Sequence, residues 1–473
     1  MVDLSIIGVY LLIMLYVGWK GRRQSAESFW VAERKNTTTG ITLSLVATVF
    51  GASSTLGMIG LGYSRGLTAA WWTLIGGFSL IPFALLLASR VRSLNVYTLP
   101  DILRVAYGEK AALPAGLMIA TAWCGVIAAQ LIAGGRLVAG LFSINFEISL
   151  LFVAIIFTLY TFWGGQVSVI RTDSWQLVLF VGGLFVSLIF LLVSRFDTVA
   201  FWENVPGAHW KFPVSPEFGW YDLLVFYPLI VGLPYLVGPD IYSRVLCARD
   251  HQVARRSALL AATIVIPLSF LLAVLGLLAR AHFPDIPAEA ALPKTLTILI
   301  PTGFRGLIVA GFLGAIMSSA DTCLISASTI LTLNVVRPFY KSVQQRQLQI
   351  TRVFVVLLGV AAWFIAGRQQ GIISALLLGY KVFVGGVVAP TLATFFQKRL
   401  RLTSAGALWA IVMGGGTAIL GNIQGGAPLK TLLTPHGQAF LKQALGPHYL
   451  SILPIILSTL IVLGFSRIKR THA

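Results

Sequence analysis

Residues 47–66 read ATVFGASSTLGMIGLGYSRG. This is an apolar stretch long enough to cross a bilayer, and it is interrupted in its middle. Gly51, Gly57, Gly60 and Gly62 loosen the helix, and Ser53, Ser54 and Thr55 stand between them. Small residues of this kind also let two helices pack closely. Irregular backbone at membrane depth survives only where it is buried in protein or lines a cavity. Residues 232–244, GLPYLVGPDIYSR, break a second apolar stretch, because Pro234 and Pro239 remove backbone donors. The two breaks lie about five spans apart, as an inverted repeat built around discontinuous helices requires.

Outward from these breaks, the chain is apolar almost throughout. It has 473 residues, 57% hydrophobic and only 11% charged, with a mean hydropathy of +0.86. Soluble domains carry about 25% charged residues. The composition therefore excludes a soluble enzyme, a disordered chain and a secreted disulfide scaffold. Spans of about 20 apolar residues are expected at 3–19, 39–63, 67–90, 111–143, 145–165, 168–194, 220–247, 254–281, 303–335, 350–367, 369–397, 402–423 and 449–466. The expected fold is an all-α membrane protein of thirteen transmembrane helices. Its core is a five-plus-five inverted repeat with broken first and sixth core helices. The divisions are 1–36 (an extra helix and loop), 37–195 and 220–397 (the two repeats) and 398–473 (two extra helices).

The net charge of +19 reads as orientation information, and no nucleic-acid partner is expected. With the N-terminus outside, loops 20–36, 90–110, 244–256, 337–352, 398–401 and 467–470 face the cytoplasm and hold most of the bases, as the positive-inside rule demands. The first apolar run precedes Lys20, Arg22 and Arg23. That order is the reverse of a signal peptide, so a retained helix is expected. The expected location is the cytoplasmic (inner) membrane, with a cytoplasmic C-terminus and a monomer sufficient for function. Cys124, Cys247 and Cys323 lack metal-like spacing and read as small buried hydrophobes.

Ionisable groups inside spans are costly and so point to function or to pairing. They are Asp173, Asp240, Asp321, Arg136 and Lys381. Ion pairs that fix helix packing are one reading, and Asp240 has Arg244 on its own helix as a candidate partner. Asp321 lies in GFLGAIMSSADTCLISAST. Ala315, Ser318, Ser319, Asp321 and Thr322 fall at helical offsets on one broad face, an all-oxygen array of the kind hard cations prefer. Serines in membrane helices also bond their own carbonyls, so the carboxylate on the next turn is what raises this stretch above a lone Ser pair. No nucleophile elbow, phosphate loop or His/Cys cluster is present in the sequence, so no enzyme activity is expected.

Several motifs resemble the sodium/solute symporter family: FWVAERK, YTLPDILRVAYG, FWGGQVSVIRTDSWQ, GPDIYSRVL and AIMSSADTCLISAST. The likeness covers nearly the whole chain. The last motif is nearest the choline-transporter branch, while length and span count are nearest the bacterial pantothenate and proline branches. The resemblance implies a LeuT-type core and sodium as the coupling ion. It places a first sodium at the carbonyls of Ala47, Phe50 and Ala315 and the hydroxyls of Ser318 and Ser319. It places a second cation near Asp173, Ser318, Asp321 and Thr322. Asp321 stands where several members carry Ser, which leaves a tighter second site, a proton site or an ion pair open.

By position, Ser53, Ser54, Trp72, Trp123, Tyr235 and Lys381 are expected to line the substrate site. Val49 and Thr73 replace polar residues that grip sugar in the glucose branch, and Val49 stands near one Trp of the choline cage. An unpaired Lys381 would favour a carboxylate, unless it pairs with Asp321 or Asp173. The expectation is therefore sodium-driven uptake of a small carboxylate or zwitterion by alternating access. Its rivals are proton coupling, a choline-like organic cation as substrate, and a membrane-embedded solute sensor.

Overall fold

The computed structural model describes residues 2–340, 346–369, 371–396, 400 and 402–468. Part of the expected basic loops 337–352, 398–401 and 467–470 lies outside the described residues. Among the described residues the chain is helical without a β-strand, apart from two isolated bridges. Fourteen helices matter here. They are α1 (Val2–Lys20), α2 (Thr38–Val49), α3 (Met58–Arg65), α4 (Trp71–Pro82), α5 (Glu109–Phe142), α6 (Phe146–Ser194), α7 (Leu233–Val237), α8 (Pro239–Leu246), α9 (His251–His282), α10 (Phe304–Ile330), α11 (Gln347–Ala366), α12 (Ile372–Phe383), α13 (Ser404–Asn422) and α14 (Tyr449–Ile468).

By length and hydropathy ten helical stretches among the described residues can cross a membrane, or eleven if the bent pair Pro435–Leu445 and Tyr449–Phe465 is one span. Two of the ten exceed a single crossing. Ser53–Ser93 has 41 residues and α6 has 49. At 1.5 Å per residue α6 would measure about 73 Å, more than twice a hydrocarbon core of about 30 Å. Its interruption is Gly165, at φ 60° and ψ −175°. Only glycine adopts that conformation without strain.

Both expected breaks are present. α2 ends at Val49, and a π-helical turn at Ser53–Gly57 leads into α3. The second break is Gly238, extended at ψ 139°, between α7 and α8, with Pro239 at the first position of α8, where its missing N–H costs nothing. The two broken helices are joined at one end. Asn36 forms a parallel bridge with Ala248, donating to the Cys247 carbonyl and accepting from the Arg249 amide. The core centres on α10, whose membrane window is buried from end to end. It packs against α6, α5, α1, α2 and α8, which explains why its oxygen-rich face can hold charge away from lipid.

The recurrent motifs have structural reasons. In YTLPDILRVAYG, Thr98 and Asp101 form a capping box at the start of the short helix Leu99–Tyr107. The same two side chains bind Asn334, at 2.8 Å each, beyond the end of α10. In FWVAERK, Trp30 donates to Thr351 at 3.3 Å, and Arg34 donates to the Asn95 and Val96 carbonyls. These contacts clamp one end of the bundle. Cys124, Cys247 and Cys323 are buried and unpaired.

Candidate cation and solute site

The first break and α10 meet directly. The Ser319 hydroxyl donates to the Thr48 carbonyl at 2.8 Å and lies 3.4 Å from the Ala47 carbonyl. The unwound segment is held by Gln130 of α5, whose Oε1 accepts from the Ala52 amide at 2.7 Å. The Thr55 hydroxyl satisfies the Gly51 carbonyl at 2.7 Å. Gly51 is required here. A Cβ would lie 2.6 Å from Ser319 Oγ and 2.8 Å from Gln130 Oε1, closer than real Cβ contacts. The family resemblance implied one site holding Ala47 and Ser319, and the two residues are neighbours across the break. Gln130 was not singled out, although a lone amide in an apolar span is the kind of signal that could have found it.

A second cluster lies one turn away. Asp173 of α6 and Arg244 of α8 form an ion pair at 3.2 Å, both side chains fully buried. Asp173 also accepts from Ser318 at 2.6 Å and from Ser44. Arg244 donates to Thr48 at 3.1 Å, and to Gln166 and Thr322. One guanidinium therefore ties α2, α6, α8 and α10 together. The pairing differs from the local Asp240–Arg244 pair considered from the sequence. The i to i+4 spacing allowed that pair, but α8 points Arg244 into the bundle, where four acceptors converge. The motif residues Gln166, Asp173 and Arg244 thus belong to one network.

Asp321 lies beside this network, also fully buried. One oxygen accepts from Thr161 at 2.6 Å, and Oδ2 has no hydrogen-bond partner. Asp321 interacts electrostatically with both Asp173 and Arg244. Two carboxylates face one guanidinium, and Arg244 is paired with Asp173, so an ionised Asp321 would have no countercharge of its own among the described residues. A buried carboxylate left uncompensated is strongly disfavoured, and either a proton or a monovalent cation relieves it. The donors are all oxygen, as a hard cation prefers. Ser318 turns its hydroxyl to Asp173, which places it with this second cluster in the present conformation. The Thr322 hydroxyl, besides accepting from Arg244, donates to the Ser318 carbonyl at 2.7 Å.

The residues expected around the solute fall into three places. Trp123 is fully buried, edge-on to Phe383 at 4.8 Å and 6.4 Å from Tyr380. Tyr235 lies against Gly76 and faces the buried Ser54 hydroxyl. Ser53 is buried in the π-helical turn. Trp72 sits elsewhere. It meets Tyr227 edge-on at 5.6 Å, in a layer with Phe218 and Arg65, and Arg65 donates to the Tyr227 hydroxyl at 2.7 Å. Tyr380, rather than its neighbour Lys381, meets Trp123. Lys381 is half-buried, and among the described residues it makes no ion pair with Asp321 or Asp173. Arg136 pairs with Glu289 at 2.7 Å. Of these, Tyr380 and Arg244 were missed as site residues, the first hidden among ordinary aromatics and the second read as a helix-end partner.

Comparison with known proteins decides the family. The model of the "Sodium:solute symporter family" matches residues 29–414. The chain belongs to the sodium:solute symporter family. Among curated relatives, it is 26% identical to human sodium/glucose cotransporter 4 over 88% of this chain and 68% of that protein. It is likewise 26% identical to the bovine sodium/mannose cotransporter over 87% of this chain and 77% of that protein. Among solved structures, a sodium-coupled sialic acid symporter in a substrate-bound outward-open state matches with a TM-score of 0.77. The identity there is 17%, over 99% of this chain and 98% of that one. A nucleobase-cation-symport-1 family transporter in a closed conformation matches at 0.61, with 13% identity and 94% of each chain covered. The fold is that of the LeuT-type transporters. The symporter is a multi-pass membrane carrier of small solutes, with sodium as the coupling ion of its family, and is not an enzyme.

Proposed function

We propose that this symporter takes up a small organic solute by letting sodium close the gap between the first broken helix and α10. The observation that carries the reading is Ser319 bridging to the Ala47 and Thr48 carbonyls across that gap. The first ion would be held by the carbonyls of Ala47, Phe50 and Ala315 and the hydroxyls of Ser318 and Ser319. Binding there would engage carbonyls freed by the break, which links ion occupancy to the shape of the neighbouring solute pocket. Rocking of the bundle then exposes the site to the other side. Each positive charge moving inward gains about 2.3 kcal/mol per 100 mV. The lack of a separate countercharge for an ionised Asp321 among the described residues supports a second cation there, with Asp173, Ser318 and Thr322.

In this reading the chain crosses thirteen times. α6 is divided at Gly165, and the long stretch Ser53–Ser93 counts two crossings with α2 and the turn at Gly66. The repeats are 37–195 and 220–397, flanked by 1–36 and 398–473. The N-terminus is outside and the C-terminus cytoplasmic, in the cell membrane. Trp123, Tyr235, Ser53 and Ser54 face the solute, Trp72 closes it from the outer layer, and Lys381 favours a carboxylate or zwitterion. The names of the relatives favour a second reading, a sugar or polyol. A thermal-shift panel of carboxylates, amino acids, quaternary amines and hexoses, each with and without sodium, tests both. Stabilisation by a carboxylate or zwitterion only with sodium supports the first reading. Stabilisation by a hexose alone overturns its solute class, and sodium-independent stabilisation overturns the coupling.

A further inference from the structure

One cavity lined by charged side chains shares no residue with the proposed solute site. It measures about 730 Å³ and opens where α1 ends against the second half of α6. Lys20, Gly21 and Arg23 form one wall, Ser25, Ser28 and Glu33 the rim, and Ser168, Arg171, Thr172 and Trp175 the other wall. Among the described residues, Lys20, Arg23 and Arg171 have no ion-pair partner. The one carboxylate, Glu33, is already committed: it accepts from Lys35 at 2.5 Å and from Ser28 at 2.6 Å. The cavity is thus lined by three bases without an ion-pair partner among the described residues, by one carboxylate already paired with Lys35, and by hydroxyls.

Its surroundings define the depth in the bilayer. Trp175 is 72% exposed, and Trp19 and Tyr16 stack on each other at the lipid-facing end of α1. Arg22 covers the Trp19 ring at 3.5 Å. Exposed Trp and Tyr beside Lys and Arg at the end of an apolar span mark the headgroup level. Below them the lipid-facing sides of α1 and α6 offer Leu12, Ile13 and Val178, all exposed, as a continuation toward the hydrocarbon. The floor is built to last. Gln24 donates to the Gly164 carbonyl at 2.8 Å and so pins the loop after α1 to the kink of α6.

We propose that this cavity binds the phosphate-bearing headgroup of an anionic phospholipid, whose acyl chains run along α1 and α6. Basic pockets between transmembrane helices recognise such headgroups through charge and hydroxyl donors. The wall residue Thr172 precedes Asp173, so an occupied cavity braces the helix that carries half of the buried ion pair. The assignment of this cavity to the cytoplasmic leaflet rests on the orientation proposed above, whereas lipid binding itself does not.

The test uses the purified full-length chain in neutral detergent, titrated with dioleoyl phosphatidylglycerol, dioleoyl phosphatidylcholine or inorganic phosphate, and read by native mass spectrometry and thermal melting. Phosphatidylglycerol is retained and raises the melting temperature, while phosphatidylcholine and inorganic phosphate do neither. The K20Q/R23Q/R171Q variant loses roughly a hundredfold in phosphatidylglycerol affinity, at roughly fivefold per basic residue. The single Arg171→Gln change, which leaves the fold intact, loses roughly fivefold. Equal retention of the two lipids, equal stabilisation by inorganic phosphate, or unchanged binding in Arg171→Gln overturns the proposal. Labelling of a Glu27→Cys variant by an impermeant thiol reagent in intact cells would reverse the orientation and leave the lipid result standing.

Discussion

Arg244 gives the sharpest mutational forecast. Replacing it with Met preserves length and apolar packing but removes the countercharge of Asp173 and the donors to Thr48, Gln166 and Thr322. Asp173 keeps two hydroxyl donors, Ser44 and Ser318, yet it and Asp321 then lie buried with no base. Breaking a fully buried pair by removing one partner costs about 3–5 kcal/mol, and Arg244→Met is expected at the upper end. Asp173→Asn is milder, because Arg244 retains three neutral acceptors and Asp321 remains as a counter-ion. In the double variant the lost charges no longer oppose each other, so it recovers part of the sum, with a coupling of about 1–3 kcal/mol. Unfolding in mixed micelles, followed through the fluorescence of the twelve tryptophans, measures all four corners of the cycle. Additivity within about 0.5 kcal/mol, or a larger loss in Asp173→Asn than in Arg244→Met, would refute the reasoning.

Other outcomes follow from the same geometry. Gly51→Ala drives a methyl into Ser319 and Gln130 and should cost about 1–3 kcal/mol, visible as reduced thermal stability and weaker sodium protection. Gln130→Ala leaves the Ala52 amide buried without an acceptor and should cost about 1–3 kcal/mol, with the same readout. Asp321→Asn removes the second countercharge and should lower the Hill coefficient for sodium in uptake, with wild-type steepness as the contrary result. His209, in the loop before the seventh expected span, is buried, and burial pushes its imidazole below the usual value of about 6.5. The neutral ring is favoured when folded, so its stabilising contribution is present above that usual value and is lost as pH falls through the lowered one. Melting temperature should fall on acidification through this window, and His209→Gln should flatten that part of the profile.

The sequence disclosed the fold because its main devices are compositional. The breaks at Gly51 and Gly238 are visible as glycine and proline inside apolar runs, and the structure interrupts the helices at those places. The oxygen face of α10 was legible from spacing, since Ser318, Ser319, Asp321 and Thr322 share helical offsets. What spacing could not show was which partner each polar group meets across the bundle. Arg244 has an acid four residues before it, but its helix turns it toward Asp173, some seventy positions earlier in the chain. Likewise, Lys381 reads as a solute ligand by position, whereas the adjacent Tyr380 occupies the contact with Trp123. Rotation of a helix by one residue, about 100°, separates these cases, and only tertiary packing sets it.

Sodium occupancy at Ser319 is the central claim, and equilibrium binding of radioactive sodium to the purified protein tests it without knowledge of the solute. Saturable binding that potassium does not displace, weakened at least about tenfold in Ser319→Ala by loss of one oxygen ligand worth about 1.4 kcal/mol or more, is the expected result. Absence of saturable sodium binding in the wild type, or an unchanged isotherm in Ser319→Ala, would contradict the account.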